Sequence, residues 1–139
     1  MKKKWGVAVF FAALMMLSVV SFGATRGQAK VYLQASNSWS TGAMNVTRNT
    51  AYSTVYLKVL SVFPSDGRFD NYTKAKFRIK ASGNGIVMSD TYVCSEGEEY
   101  DLKIREGYLD ISTIDYQAKG NNSKLSAYTV FNYDGDRRK

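Results

Sequence analysis

The sequence predicts an all-β protein, a small antiparallel two-sheet sandwich of immunoglobulin-like or related type. Three observations carry that expectation. The stretch Lys74-Ala75-Lys76-Phe77-Arg78-Ile79-Lys80-Ala81 alternates charged and apolar residues without a slip, which is the period of a half-buried strand. Other short segments rich in Val, Thr and Tyr are separated by Gly, Asn and Ser turns, as in a sandwich. Beyond the N-terminal region no ten-residue stretch keeps a good helical period, and the chain has 1 Pro. A small closed barrel is the competing architecture.

The first residues stand outside that pattern. Lys2, Lys3 and Lys4 precede Trp5 to Val20, a run that is apolar apart from Ser18. Its length suits the apolar region of a signal peptide and is short for a spanning helix. Ser21 to Ala29 follows as a polar, small-residue region, and Gly27-Gln28-Ala29 puts small residues at the last and third-last positions before a cut. Residues 1–29 are therefore expected to be a signal peptide cleaved after Ala29. Cleavage after Ala24 is the alternative, and it places Phe22 where a small residue is wanted. Residues 30–139 are expected to form one small domain, secreted, which meets the membrane only through the leader before cleavage.

Taken in order, Val31 to Ala35 alternates, with Val31, Leu33 and Ala35 on one side. Asn37 to Gly42 is a turn-rich break containing Trp39, and Ala43 to Thr47 is a short second strand. Tyr52 to Phe63 is long and β-branched, with Val55, Leu57 and Val59 on one face. Pro64-Ser65-Asp66-Gly67 ends it with turn chemistry. The alternating strand spans Thr73 to Ala81, with Ala75, Phe77, Ile79 and Ala81 toward a core. Ser82-Gly83-Asn84-Gly85 is a tight connection, and Ile86 to Cys94 is the next strand. After an acidic turn at Ser95 to Glu99, Tyr100 to Arg105 places Tyr100, Leu102 and Ile104 inward, and Gly107 breaks it. Leu109 to Ala118 reads as strand, Gly120-Asn121-Asn122 as turn, and Lys124 to Tyr133 as the closing strand.

Composition excludes several chemistries. The chain has 1 Cys, Cys94, and 0 His. A single Cys makes no internal disulfide, a habit that suits an exported protein of a Gram-positive-type bacterium. Within its strand Cys94 is read as a small buried hydrophobe. Without His there is no Ser-His-Asp or Cys-His catalytic set, structural zinc is disfavoured, and no cofactor motif is present. The net charge of +7 includes Lys2, Lys3, Lys4 and Arg26; without those four the remainder carries +3. Nucleic acid is not the expected partner of so mildly basic a domain. An anionic cell-wall polymer or envelope surface is.

One constellation has a direction. Lys74, Lys76, Arg78 and Lys80 form a basic ladder on the face of their strand opposite the core. The plain reading is a solvated face that discourages edge pairing. The sharper one is an anion-binding face, which Lys103 and Arg105 would extend if their strand is a neighbour. The acidic cluster Glu96, Glu98, Glu99 and Asp101 is read as solvated turn charge rather than a glycosidase pair or a calcium site. Asp66, Asp70 and Asn71 miss the EF-hand spacing. No metal site is expected. The 10 Tyr are expected at cross-strand positions with packed rings and wet hydroxyls. Trp39 is read as a lid on the core in preference to a ligand anchor.

The segment Tyr116-Gln117-Ala118-Lys119-Gly120-Asn121-Asn122-Ser123, followed by Tyr128-Thr129-Val130-Phe131-Asn132-Tyr133-Asp134, resembles the end of small exported β-rich proteins of Gram-positive bacteria catalogued as a domain of unknown function. That family similarly runs a strand, an Asn-rich turn and a last strand ending in an aromatic and an acid, with Tyr133 here where Trp is expected. The resemblance implies export and a β fold, and it transfers no catalytic residue. Small secreted β-sandwich bacteriocins share the architecture without a motif. The functional expectation is a secreted, non-enzymatic binding protein acting at an anionic envelope through Lys74, Lys76, Arg78 and Lys80. The alternatives are a bacteriocin-like antagonist and, less favoured, a small carboxylate hydrolase.

Overall fold

In the computed structural model the described residues are 21–22, 24–35, 38–65, 73–121 and 124–136. The apolar part of the expected leader, the Asp66, Asp70 and Asn71 group and part of the Asn121-Asn122 turn lie outside them. Among the described residues nine strands follow one another: β1 (Ser21–Phe22), β2 (Arg26–Leu33), β3 (Ser40–Thr47), β4 (Thr54–Pro64), β5 (Lys74–Ala81), β6 (Tyr92–Ser95), β7 (Glu99–Lys103), β8 (Thr113–Gly120) and β9 (Ala127–Asp134). They form two sheets, ordered β1-β3-β8-β5-β6 and β2-β9-β4-β7. The two-residue β1 lies parallel to β3; the other pairings are antiparallel. The sheets face each other across one core and do not close into a barrel. The protein is thus an all-β sandwich, as its alternating segments predict.

The alternation of β5 sets the inner face of the first sheet. Ala75, Phe77, Ile79 and Ala81 are all buried. Register places Phe77 opposite Ala118, Ile79 opposite Tyr116 and Ala81 opposite Ile114 of β8, so the two central strands present one apolar layer. The second sheet answers with Val31 and Leu33 from β2, Val55, Leu57 and Val59 from β4, and Phe131 and Tyr133 from β9. Aromatic rings join the layers. Phe77 meets Phe131 edge-on at 5.2 Å and 81°, and Tyr116 lies 5.3 Å from Tyr133. Such tilted and edge-to-face pairs satisfy the ring quadrupoles while filling the core. Gly42 allows the close approach of the sheets, because a Cβ there would lie 2.4 Å from Val31 Cγ2 and 2.8 Å from Phe131 Cζ.

Bulges account for breaks in the sequence pattern. The β4–β9 register shifts between Val59 and Ser61, so the buried set passes from Val55, Leu57 and Val59 to Val62 and Pro64. In β3 the register shifts twice, and Asn45 takes a positive φ of 52°, a conformation Asn tolerates better than most residues. Its backbone N–H, turned out of the ladder, donates to Asp115 Oδ1 at 3.0 Å.

Two expected strands are shorter than their patterns. Ile86 to Cys94 does not run as one strand. Val87 bridges Lys80, and the chain then leaves the sheet until Tyr92. The cause is Ser89, whose Oγ accepts the Ile79 N–H at 2.8 Å and donates to the Asp90 carbonyl at 2.9 Å. A side chain thereby takes the place of a ladder partner. Likewise β8 begins at Thr113, not Leu109. Residues Glu106–Tyr108 form a 3-10 turn, and the buried Arg48 draws in the carbonyls of Leu109 and Ile111, each at 2.9 Å. In the other direction, β2 begins earlier than the expected Val31 and pairs with β9 from Arg26 onward.

Candidate functional site

With Ala75, Phe77, Ile79 and Ala81 of β5 turned inward, Lys74, Lys76, Arg78 and Lys80 project from the outer face of the five-stranded sheet. Lys74 is exposed and the other three are half-buried. The β5–β8 register places Lys76 opposite Lys119, Arg78 opposite Gln117 and Lys80 opposite Asp115. The structure therefore brings the four predicted residues together and adds Lys119 to them. Lys103 and Arg105 do not extend the face. Lys103 belongs to β7, in the other sheet, and Arg105 pairs with Asp90 at 3.0 Å.

Trp39, immediately before β3, does not cover the core. It sits on this cationic face, with the Arg78 guanidinium carbon 4.2 Å and Lys119 Nζ 5.0 Å from its ring centroid. The expectation of a core lid is corrected by register. Ser40 pairs with Ala118, so the preceding residue falls beside Lys119 on the outer side. Each cation is attracted to the electron-rich ring face.

Arg78 is the most constrained cation of the group. Its Nε donates to Gln117 Oε1 at 2.8 Å, and Gln117 Nε2 donates onward to Thr41 Oγ1 at 3.3 Å. This relay runs across β5, β8 and β3 and holds one edge of the guanidinium, while Trp39 covers a face. Partial burial lowers the Arg78 pKa from its ordinary value, and an arginine remains charged near neutrality. A planar fork held this way is suited to bidentate contact with a phosphate or carboxylate.

The charges on this face have little internal compensation. Alternate residues of a strand lie about 6.8 Å apart, so neighbouring rungs of β5 repel by about 0.6 kcal/mol at the dielectric of water. Among the described residues, none of Lys74, Lys76, Arg78, Lys80 and Lys119 has a carboxylate at ion-pair distance. The acid nearest in register, Asp115, is 4% exposed and serves the frame. It accepts from Asn45 N and from Ser82 Oγ, the latter at 2.7 Å. An anion laid across the face would relieve that repulsion.

Other candidates are placed differently. Glu96 and Glu98 are exposed at the turn after β6, and Glu99 accepts the Tyr56 hydroxyl at 3.1 Å. They share no cleft. A shallow groove is lined by Asp90, Tyr92, Lys103, Arg105 and Glu106, where acids and bases alternate and the Arg105–Asp90 pair closes on itself. Cys94 is buried with 0% exposure, and burial pushes its thiol up to about 12. It behaves as the small hydrophobe its strand position predicts. Tyr128 packs as a cross-strand tyrosine, its ring between Tyr32 at 5.2 Å and Phe63 at 5.7 Å. The expectation of wet hydroxyls fails at Tyr116 and Tyr133, which point into the core and are buried whole, Tyr116 donating to the Tyr56 carbonyl at 2.9 Å.

No protein-family model matches the sequence, and no curated protein matches it. Among solved structures, the chain is similar to one from work whose title reads "Bacillus endospore appendages form a novel family of disulfide-linked pili". The identity is 10%, the TM-score 0.37, and the alignment covers 78% of this chain and 83% of that one. A likeness this distant assigns no activity.

Proposed function

We propose that this protein is a secreted, non-enzymatic binding protein that engages an anionic envelope polymer through the outer face of its five-stranded sheet. The reading rests on one observation: Lys74, Lys76, Arg78, Lys80 and Lys119 share a face without carboxylate partners among the described residues, and Arg78 is held there by Trp39 and Gln117. Secretion follows from the three-part leader pattern at the N-terminus. The resemblance to exported β-rich proteins of Gram-positive bacteria is consistent with that location. In this reading the lysines steer the polymer electrostatically, and the Arg78 fork grips individual phosphate or carboxylate groups.

Sedimentation with purified Gram-positive cell wall tests the proposal. Binding is expected at low salt and should weaken as ionic strength passes about 0.15 M, where the Debye length falls to about 8 Å. It should be largely lost when Lys74, Lys76, Arg78 and Lys80 become Gln. Wild-type protein that fails to sediment at low salt, or a quadruple variant that sediments unchanged, refutes it. Growth inhibition of related strains by the purified domain would favour the antagonist reading instead.

A further inference from the structure

The leader and the fold compete for the same residues, and the competition fixes where the chain must be cut. Cleavage after Ala29 would remove Arg26 to Ala29, half of β2. Those residues pair with Asp134, Tyr133, Asn132 and Phe131 of β9. Ala29 is 1% exposed and belongs to the core. Its loss would leave half of an eight-residue ladder open on β9 and uncover the sheet beside Phe131 and Tyr133, two of the largest buried side chains.

Attachment to the frame begins still earlier. The Gly135 N–H donates to the Thr25 carbonyl at 2.8 Å, and the Thr47 N–H donates to the Ala24 carbonyl at 3.2 Å. These bonds tie the entry of β2 to the exit of β9 and the end of β3. Arg26 also faces Asp134 at 3.8 Å, although an exposed pair of that length adds little. Attachment of the described chain through β2 to the sandwich thus begins at Ala24.

We infer that signal peptidase cuts after Gly23, so that the secreted protein begins at Ala24. In the residues that precede Ala24, this junction places Ser21 at the third-last and Gly23 at the last position, both small, as the cleavage pattern requires. A cut after Phe22 would put an aromatic at the last position, and one after Ser21 would put Val19 at the third-last. The strand β1 then leaves with the leader. It contributes only the pairs Ser21↔Ala43 and Phe22↔Met44, against the eight of β2. Its departure opens a short edge at β3, and short edges are the tolerated kind.

The test is export of the full chain from Met1 in a Gram-positive host, with intact mass and N-terminal sequencing of the protein in the supernatant. A sequence starting Ala-Thr-Arg-Gly-Gln-Ala supports the inference. A start at Lys30 overturns it while leaving secretion intact, and a start at Met1 overturns both it and the secretion that the proposed function assumes. Gly23→Leu is the second arm. Processing should fall at least tenfold, with uncut precursor collecting in the membrane fraction. Undiminished release of protein beginning at Ala24 or Lys30 from that variant overturns the assignment.

Discussion

Truncation of Phe77 measures how far the two sheets depend on each other. The ring is 0% exposed on the inner face of β5 and meets Phe131 of the opposite sheet edge-on at 5.2 Å. Phe77→Ala removes that contact and leaves a void beside Phe131 in a core where Ala75 and Ile79, on the same face of β5, are buried themselves. Buried Phe→Ala changes cost about 3–5 kcal/mol in lost transfer energy and cavity formation, and the edge-to-face geometry accounts for about 0.5–1.5 kcal/mol of such a loss. The cavity is closed by both sheets, which limits collapse, so about 4 kcal/mol is expected, out of a total stability of about 5–15 kcal/mol. For a domain of this size the melting temperature should fall by about 15 °C. Urea unfolding followed by circular dichroism gives the free energy, and the slope against urea should not change. Lys76→Ala is the adjacent control on the outer face and should cost under about 0.5 kcal/mol. A cost below about 1.5 kcal/mol for Phe77→Ala, or equal costs at 77 and 76, would refute the packing argument.

Three further outcomes are expected. Gly42→Ala should destabilise by about 1–3 kcal/mol in the same melt, because its new methyl must displace Val31 or Phe131 in a core with little slack. Arg48→Met should cost at least about 2 kcal/mol and speed amide exchange at residues 109–112, since the guanidinium donates to the carbonyls of Tyr52, Leu109 and Ile111 and buried acceptors left unpaired are expensive. Burial raises the Cys94 thiol from its ordinary 9.0 to about 12, so a thiol reagent should label it slowly in the native state and quickly in urea. The same shift means that stability contributed by the protonated thiol is complete below about pH 9 and is lost as pH rises toward 12; the difference in melting between wild type and Cys94→Ala across that range reads it.

What could be read from the sequence was what one strand states about itself. The charge–apolar alternation from Lys74 to Ala81 determined both faces of β5, and the structure follows it residue by residue. Val55, Leu57 and Val59 declared their face equally well until the bulge beyond Val59 changed the phase. Where a side chain replaces a backbone partner, periodicity is silent. Ser89 ends the run after Val87, and Arg48 holds residues 109–111 out of β8, yet both segments keep strand-like compositions. The start of β2 was obscured because Arg26-Gly27-Gln28 has no β pattern of its own and is held by β9. The site was half legible for the same reason. The ladder lies within one strand, but Lys119 and Trp39 join it only through the order β3-β8-β5. That order is a non-local fact, although the inward set Ile114, Tyr116 and Ala118 does imply that Lys119 faces out.

Because pleating separates the two faces of β5, its proposed binding role and its folding role can be varied independently. The inner set closes the core whatever charge stands outside. Replacing Lys74, Lys76 and Lys80 with Gln removes repulsion of about 0.6 kcal/mol per adjacent pair and breaks no ion pair among the described residues. The fold should tolerate it or gain slightly. Arg78 differs, since its removal also takes the donor from Gln117 Oε1 and leaves Trp39 without one of its two cations. A face that opposes the folded state through its own charge, while one cation on it is fixed by an aromatic ring and an amide, adds little to the stability of the sandwich beneath it, and it is this excess charge that the proposed binding of an external anion would use.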